Sequence, residues 1–146
     1  MIINSKLLKL LSYLILFTNC NQFTLIKKTD HNPNKNIEES FFTNGNLEYR
    51  AEFLNGKLDG TTKVWHEDGY IFSVSEYSNG LPNGKWKKFY ANGNIMFEEN
   101  YIFGKKDGFE RWYYENGNIK SEQHFTDNKQ DSNIIRWDKD GNIIYY

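Results

Sequence analysis

The chain of 146 residues predicts an all-β fold: an elongated single-layer antiparallel β-meander of tandem 24-residue hairpin repeats. Three observations predict it. Glycines recur 24 residues apart, at Gly45, Gly56 and Gly60, then Gly69, Gly80 and Gly84, then Gly93, Gly104 and Gly108. Gly117 continues the series with Asn128 and Ser132 in the other two slots, and Gly141 closes it. Apolar residues keep the same register, in one column of Phe41, Trp65, Phe89, Tyr113 and Trp137 and a second of Leu47, Ile71, Ile95, Ile119 and Ile143. Phe53, Tyr77, Tyr101 and Phe125 form a third. Finally, aromatics make up 17% of the chain, with 11 Phe and 10 Tyr against 2 Met, a composition suited to strands rather than helices. A fixed period of this length dictates the architecture before any local reading does.

The first element is a leader. In "MIINSKLLKLLSYLILFTNC" Lys6 and Lys9 precede an apolar run from Leu10 to Phe17. That run is shorter than the roughly 20 residues a membrane-spanning helix needs and has the length of a signal-peptide core. The segment ends at Cys20, the only cysteine, which excludes an intramolecular disulfide. It resembles a bacterial lipoprotein signal, although Phe17 and Asn19 stand where that pattern prefers smaller residues. The resemblance implies residues 1–19 as signal peptide, Cys20 as the lipidated mature N-terminus, and an exported protein anchored to a bacterial membrane. Residues 20–40 then read as a flexible tether: they are polar and Asn-rich, contain Pro33, and bury too little apolar surface to offset ordering.

Residues 41–146 hold about four and a half repeats. Each unit reads as two strands joined at Asn44-Gly45, Asp68-Gly69, Asn92-Gly93, Asn116-Gly117 or Asp140-Gly141. Such dipeptides favour a type I′ turn, which needs positive φ at both central residues. That turn would set Lys88 opposite Phe97, and Tyr90, Tyr114, His66 and Phe42 opposite Ile95, Ile119, Ile71 and Leu47. A longer, glycine-bounded connection such as "NGKLDG", with Pro82 inside one copy, returns the chain to the next unit. Nine or ten strands result, and the truncated fifth unit reads as a C-terminal cap. A sheet of this length has no second layer to bury its faces, so its own rings must cover them.

The segments "NGKLDG", "NGLPNGKW" and "GKKDGFERWYYENGN" resemble the MORN repeat, specifically its bacterial variant class, from Phe41 to Tyr146. The resemblance implies a binding module. Bacterial members are described as antitoxin-like components of toxin–antitoxin systems, and MORN repeats generally as membrane-associated or scaffolding modules. An exported lipoprotein does not suit a cytoplasmic antitoxin.

The residues offer little chemistry. His31, His66 and His124 are dispersed, no metal-ligand spacing occurs, and no nucleophile elbow or phosphate loop is present, so neither metal nor cofactor is expected. Eighteen basic residues against 19 acidic ones leave no surplus for a phosphate backbone, which argues against nucleic acid. Carboxylates at Glu52, Glu76, Glu98, Glu99, Glu110, Glu115 and Glu122 alternate with Arg50, Lys87, Lys88, Arg111 and Lys120, the pattern of a solvated face that discourages edge-to-edge association. The aromatic residues remain. Trp86, Tyr90, Trp112 and Tyr114 alternate onto one face, with Trp65, Phe89, Tyr113 and Trp137 on the other. The first set is the candidate contact surface for another protein, or for a glycan stacked on an aromatic ladder.

Overall fold

A computed structural model describes residues 13–17, 23–28 and 32–145. The described residues contain no helix. Among the described residues thirteen strands run as β1 (Tyr13–Phe17), β2 (Phe23–Lys28), β3 (Lys35–Phe41), β4 (Leu47–Leu54), β5 (Lys57–Trp65), β6 (Ile71–Ser78) and β7 (Leu81–Phe89). They continue as β8 (Ile95–Ile102), β9 (Lys105–Lys106), β10 (Gly108–Tyr113), β11 (Ile119–Thr126), β12 (Lys129–Gln130) and β13 (Ile135–Arg136). All lie in one antiparallel sheet in meander order, with β9 beside β8 and β13 beside β11. Ala51 is the one buried hydrophobic residue among those described, and no large side chain there is fully enclosed. The expected single layer is what forms.

The sheet begins before Phe41, one reason the strands outnumber the nine or ten expected. Residues of the expected tether form β2 and β3, and Lys35–Leu54 pairs in register with Ile37 opposite Glu52 and Glu39 opposite Arg50. The upstream half-unit lacks the glycine pair that marks its successors, yet its backbone still satisfies the ladder that β4 would otherwise expose. Cys20 lies outside the described residues, and of the leader only β1 is described.

The two kinds of turn are exchanged relative to the expectation. Gly45, Gly69, Gly93, Gly117 and Gly141 do hold φ between 87° and 91°. The preceding Asn or Asp does not share that conformation. Each of these turns closes with the glycine N–H donating three residues back, as Gly93 does to the Tyr90 carbonyl at 2.9 Å, while the Tyr90 N–H donates to the Asn94 carbonyl at 2.8 Å. This is a type I turn followed by a glycine bulge. A second shift follows at Lys88/Phe89, so Phe89, not Tyr90, lies opposite Ile95, while Lys88 meets Phe97 as expected. Likewise Phe41 meets Leu47, Trp65 meets Ile71 and Tyr113 meets Ile119, and a bridge joins Trp137 to Ile143. The aromatic column therefore stands across from the aliphatic column in every unit, at about 0.2–1 kcal/mol per pair.

The two-residue type I′ turns occupy the second connection instead. Asn55-Gly56, Asn79-Gly80, Phe103-Gly104 and Asp127-Asn128 have positive φ at both positions. They set Leu54 opposite Lys57, Ser78 opposite Leu81, Ile102 opposite Lys105 and Thr126 opposite Lys129. Pro82 accordingly lies in β7, opposite Tyr77. The second glycine of that connection marks a bulge, here at Asn83-Gly84: between the pairs Ser75–Trp86 and Tyr77–Pro82, three residues oppose Glu76 alone. Gly84 sits there at φ 117°, and the Glu76 carboxylate accepts the Lys85 N–H at 3.0 Å. Long sequence runs that look like loops are thus strand with a kink.

Both edges are laced between units. On one, Asn44 and Asn46 donate to the Glu67 carbonyl at 3.1 and 2.9 Å, with Asn92 and Asn94 to Glu115 and Asn116 and Asn118 to Lys139 in the same way. On the other, Asp59 accepts the Asn79 N–H at 2.9 Å and Asn83 that of Phe103 at 3.0 Å. The unit at His66 lacks the amides, having Asp68 and Tyr70 there, and stacks its His66 and Tyr70 rings at 4.7 Å instead.

Candidate binding face

Cross-strand pairing decides which rings share a face. Trp86 opposes Glu99, Lys88 opposes Phe97, and Trp112 opposes Phe97 as well. Residues two apart on a strand point the same way, so Trp86, Phe97, Glu99 and Trp112 lie together. Glu98, one residue away, meets Lys87 and Arg111 on the opposite face and accepts the Tyr113 hydroxyl at 2.7 Å. The expected division between the Trp86 and Tyr113 sides is therefore present.

On the Trp86 face the indole lies between Tyr77 at 5.6 Å and Tyr101 at 5.0 Å, and its Nε1 is buried without a partner among the described residues. Trp112 packs on Phe97 at 4.5 Å yet keeps 42% of its surface exposed. Beside Trp86 the small side chains of Ser73 and Ser75 leave a groove of about 180 Å³, bordered by Lys88, Phe97 and Glu99. Tyr90 and Tyr114 serve the lacing: their hydroxyls donate to the carbonyls of Tyr113 and Trp137, each at 2.8 Å.

Glu99 and Glu110, expected on a solvated face, are instead largely buried here. Glu99 is only 8% exposed, and Lys106 reaches it at 2.7 Å while also pairing with Glu110. Gln123 donates to Glu110 at 2.6 Å, the Tyr101 hydroxyl donates to Glu99 at 3.0 Å, and the Lys106 ammonium lies 4.7 Å from the Phe125 ring centre. Burial pulls the Lys106 pKa down, but hydrogen bonds to Glu110 and Glu99 outweigh it and leave it raised. Burial pushes Glu110 up, and its bonds from Lys106 and Gln123 bring it below the ordinary value. Lys106 goes unnoticed because it falls inside what reads as a connecting loop. On the other face the alternating charges are a partly solvated ladder as expected: Arg111 joins Glu122 at 2.6 Å and Glu98 at 3.5 Å, and Lys87 joins Glu98 at 3.7 Å. There burial, then the bond to Glu98, pushes the Tyr113 phenol up to about 12.

A one-layer sheet of laced hairpins with a half-covered aromatic face defines a tandem-repeat β protein. Three stretches of it, 36–55, 82–102 and 106–127, match the MORN repeat variant. The gap between the first two matches contains the unit whose first turn lacks the lacing amides. MORN repeats are typically modules for protein or membrane interaction and are generally non-enzymatic. No curated protein matches the chain. Among solved structures, a S. aureus TarM mutant in complex with fondaparinux, alpha-GlcNAc-glycerol and UDP is 15% identical, over 70% of this chain and 24% of that one, at a TM-score of 0.41. Another TarM crystal structure is 12% identical, over 88% of this chain and 24% of that one, at a TM-score of 0.33. The chain spans about a quarter of the length of each, and the likeness is too slight to establish a common overall arrangement.

Proposed function

We propose that this is a non-enzymatic module that binds another protein through the Trp86–Trp112 face and is held at the bacterial envelope by a lipid on Cys20. The observation that carries the binding face is Trp112: a large rigid ring left 42% exposed, on the same face as Trp86 and packed on Phe97, which borders the groove. Rings of this kind supply area at low entropic cost and dominate binding hot spots. Tyr90 and Tyr114, bonded to the next unit's main chain, act as supports for that face. The anchor reading rests on the leader sequence and the unique cysteine.

The binding test is in-cell crosslinking of the full chain with identification of the linked protein. Trp112→Ala should abolish that one linkage and leave the urea melt within about 1–2 kcal/mol of wild type, well short of the roughly 3–5 kcal/mol of a core ring. Unfolding by Trp112→Ala would make the ring structural, and co-sedimentation with peptidoglycan lost in the same variant would move the reading to a glycan. Labelling with a radioactive fatty acid should mark wild type and spare Cys20→Ser. Equal labelling of both would refute the anchor.

A further inference from the structure

We infer that Asn55 is the site at which this chain spontaneously deamidates, and that the fold protects its other Asn-Gly pairs. The sequence has six: Asn44-Gly45, Asn55-Gly56, Asn79-Gly80, Asn83-Gly84, Asn92-Gly93 and Asn116-Gly117. A glycine on the C-terminal side leaves the reacting backbone nitrogen unhindered, so each is a chemical liability in an unfolded chain.

The reaction needs two free groups. The glycine amide nitrogen gives its proton to water and attacks the asparagine Cγ, forming a C–N bond. Nδ2 takes a proton back from water, the Cγ–Nδ2 bond breaks and ammonia leaves, giving a succinimide. Water opens that ring at either carbonyl, to aspartate or to isoaspartate. Hydrolysis is the net change, and nothing is oxidised or reduced. Any hydrogen bond that holds the glycine N–H or the side-chain amide must first break.

In the first turns every reacting group is held. Asn44, Asn92 and Asn116 each accept through Oδ1 from the residue two ahead, at 2.9, 2.9 and 3.0 Å. Their Nδ2 groups donate to the next unit at 3.1, 3.0 and 3.0 Å. Gly45, Gly93 and Gly117 each donate their N–H at 2.9 Å. Asn83 has its Oδ1 on the Phe103 N–H at 3.0 Å. At Asn79 the Gly80 N–H is given to the Leu58 carbonyl at 2.7 Å.

Asn55-Gly56 differs from all of these. The strand upstream lacks the register that would present a carbonyl to Gly56, and the Asn34 carbonyl takes the Asn55 N–H instead, at 2.9 Å. The Gly56 N–H and the Asn55 side chain have no hydrogen bond to any described residue. Gly56 is exposed at the tip of the turn, and nothing lies within 4 Å of where its Cβ would be. Isoaspartate there adds a methylene to the main chain of a two-residue turn whose geometry sets Leu54 opposite Lys57.

The test is peptide mapping by mass spectrometry during incubation of the native protein at mildly alkaline pH and 37 °C, with a parallel sample held in concentrated urea. In the native sample Asn55 should convert at least about tenfold faster than Asn44, Asn92 and Asn116, since each of those must break about three hydrogen bonds. Asn79 and Asn83 should fall between. In urea the six rates should draw together. Asn55→Ser should remove the leading acidic species seen by charge separation. Native conversion at Asn92 or Asn116 as fast as at Asn55 overturns the inference. So does the same ranking in urea, because neighbouring sequence rather than the fold would then set the order.

Discussion

Replacing Lys106 by methionine tests whether the half-buried charges hold the Trp86 face together. The side chain keeps its length and apolar stem but loses the ammonium that lies between Glu99 and Glu110, which are 8% and 12% exposed. Two carboxylates would then face each other with water largely excluded. Removing one partner of a buried pair costs about 3–5 kcal/mol. Lys106 is itself 22% exposed, so the low end, about 3 kcal/mol, is the expected loss, including a contribution of about 0.5–1 kcal/mol from the ring of Phe125. The pH profile separates this account from simple loss of packing. In wild type, Glu110 titrates below its ordinary value, so its contribution is complete above about pH 4.3 and is lost as pH falls through the depressed folded value. Lys106 titrates above its ordinary value, so its contribution is complete below about pH 10.4 and is lost as pH rises through the raised folded value. Wild-type urea midpoints should therefore be nearly flat from about pH 5 to 9 as far as this network is concerned. Lys106→Met should instead gain stability as pH falls from about 8 to about 5, because one of the crowded carboxyls takes up a proton. A loss below about 1 kcal/mol, or a profile parallel to wild type, would refute the reasoning.

Three further outcomes follow from the geometry, each read from urea melts. Gly93→Ala, with open space around the new methyl but φ of 87°, should cost about 1 kcal/mol, whereas Gly84→Ala should cost more, because its Cβ would collide with the Glu76 carboxylate that holds the Lys85 N–H. Phe103→Asn should stabilise by about 1 kcal/mol: Phe103 holds φ of 46° while 68% exposed, and the equivalent turns use Asn55 and Asn79. Tyr114→Phe should lose about 1 kcal/mol with its bond to the Trp137 carbonyl, and no loss would remove the tyrosine from the lacing.

The period of 24 residues is enough to read the repeat class, the antiparallel meander, the single layer and the positive φ of Gly93 and its equivalents. These depend on local chemistry repeated many times, and repetition averages away the errors of any one copy. The sequence cannot say which Asn-Gly makes which turn. Asn92-Gly93 and Asn79-Gly80 are the same dipeptide, and only the pairing of the flanking strands decides that the first closes on a bulge and the second on two residues. Nor does it reveal β3, whose half-unit has no glycine and is strand because the exposed ladder of β4 is there to be paired. Glu99, Lys106 and Glu110 meet only because β9 and β10 both pair with β8. Nothing in the linear spacing of Glu99 and Glu110 announces that contact, but neighbouring strands about 4.8 Å apart bring such side chains within reach. Contact across strands is a property of register, and register is set jointly by both partners, so it is decided in the folded sheet and not in either strand alone.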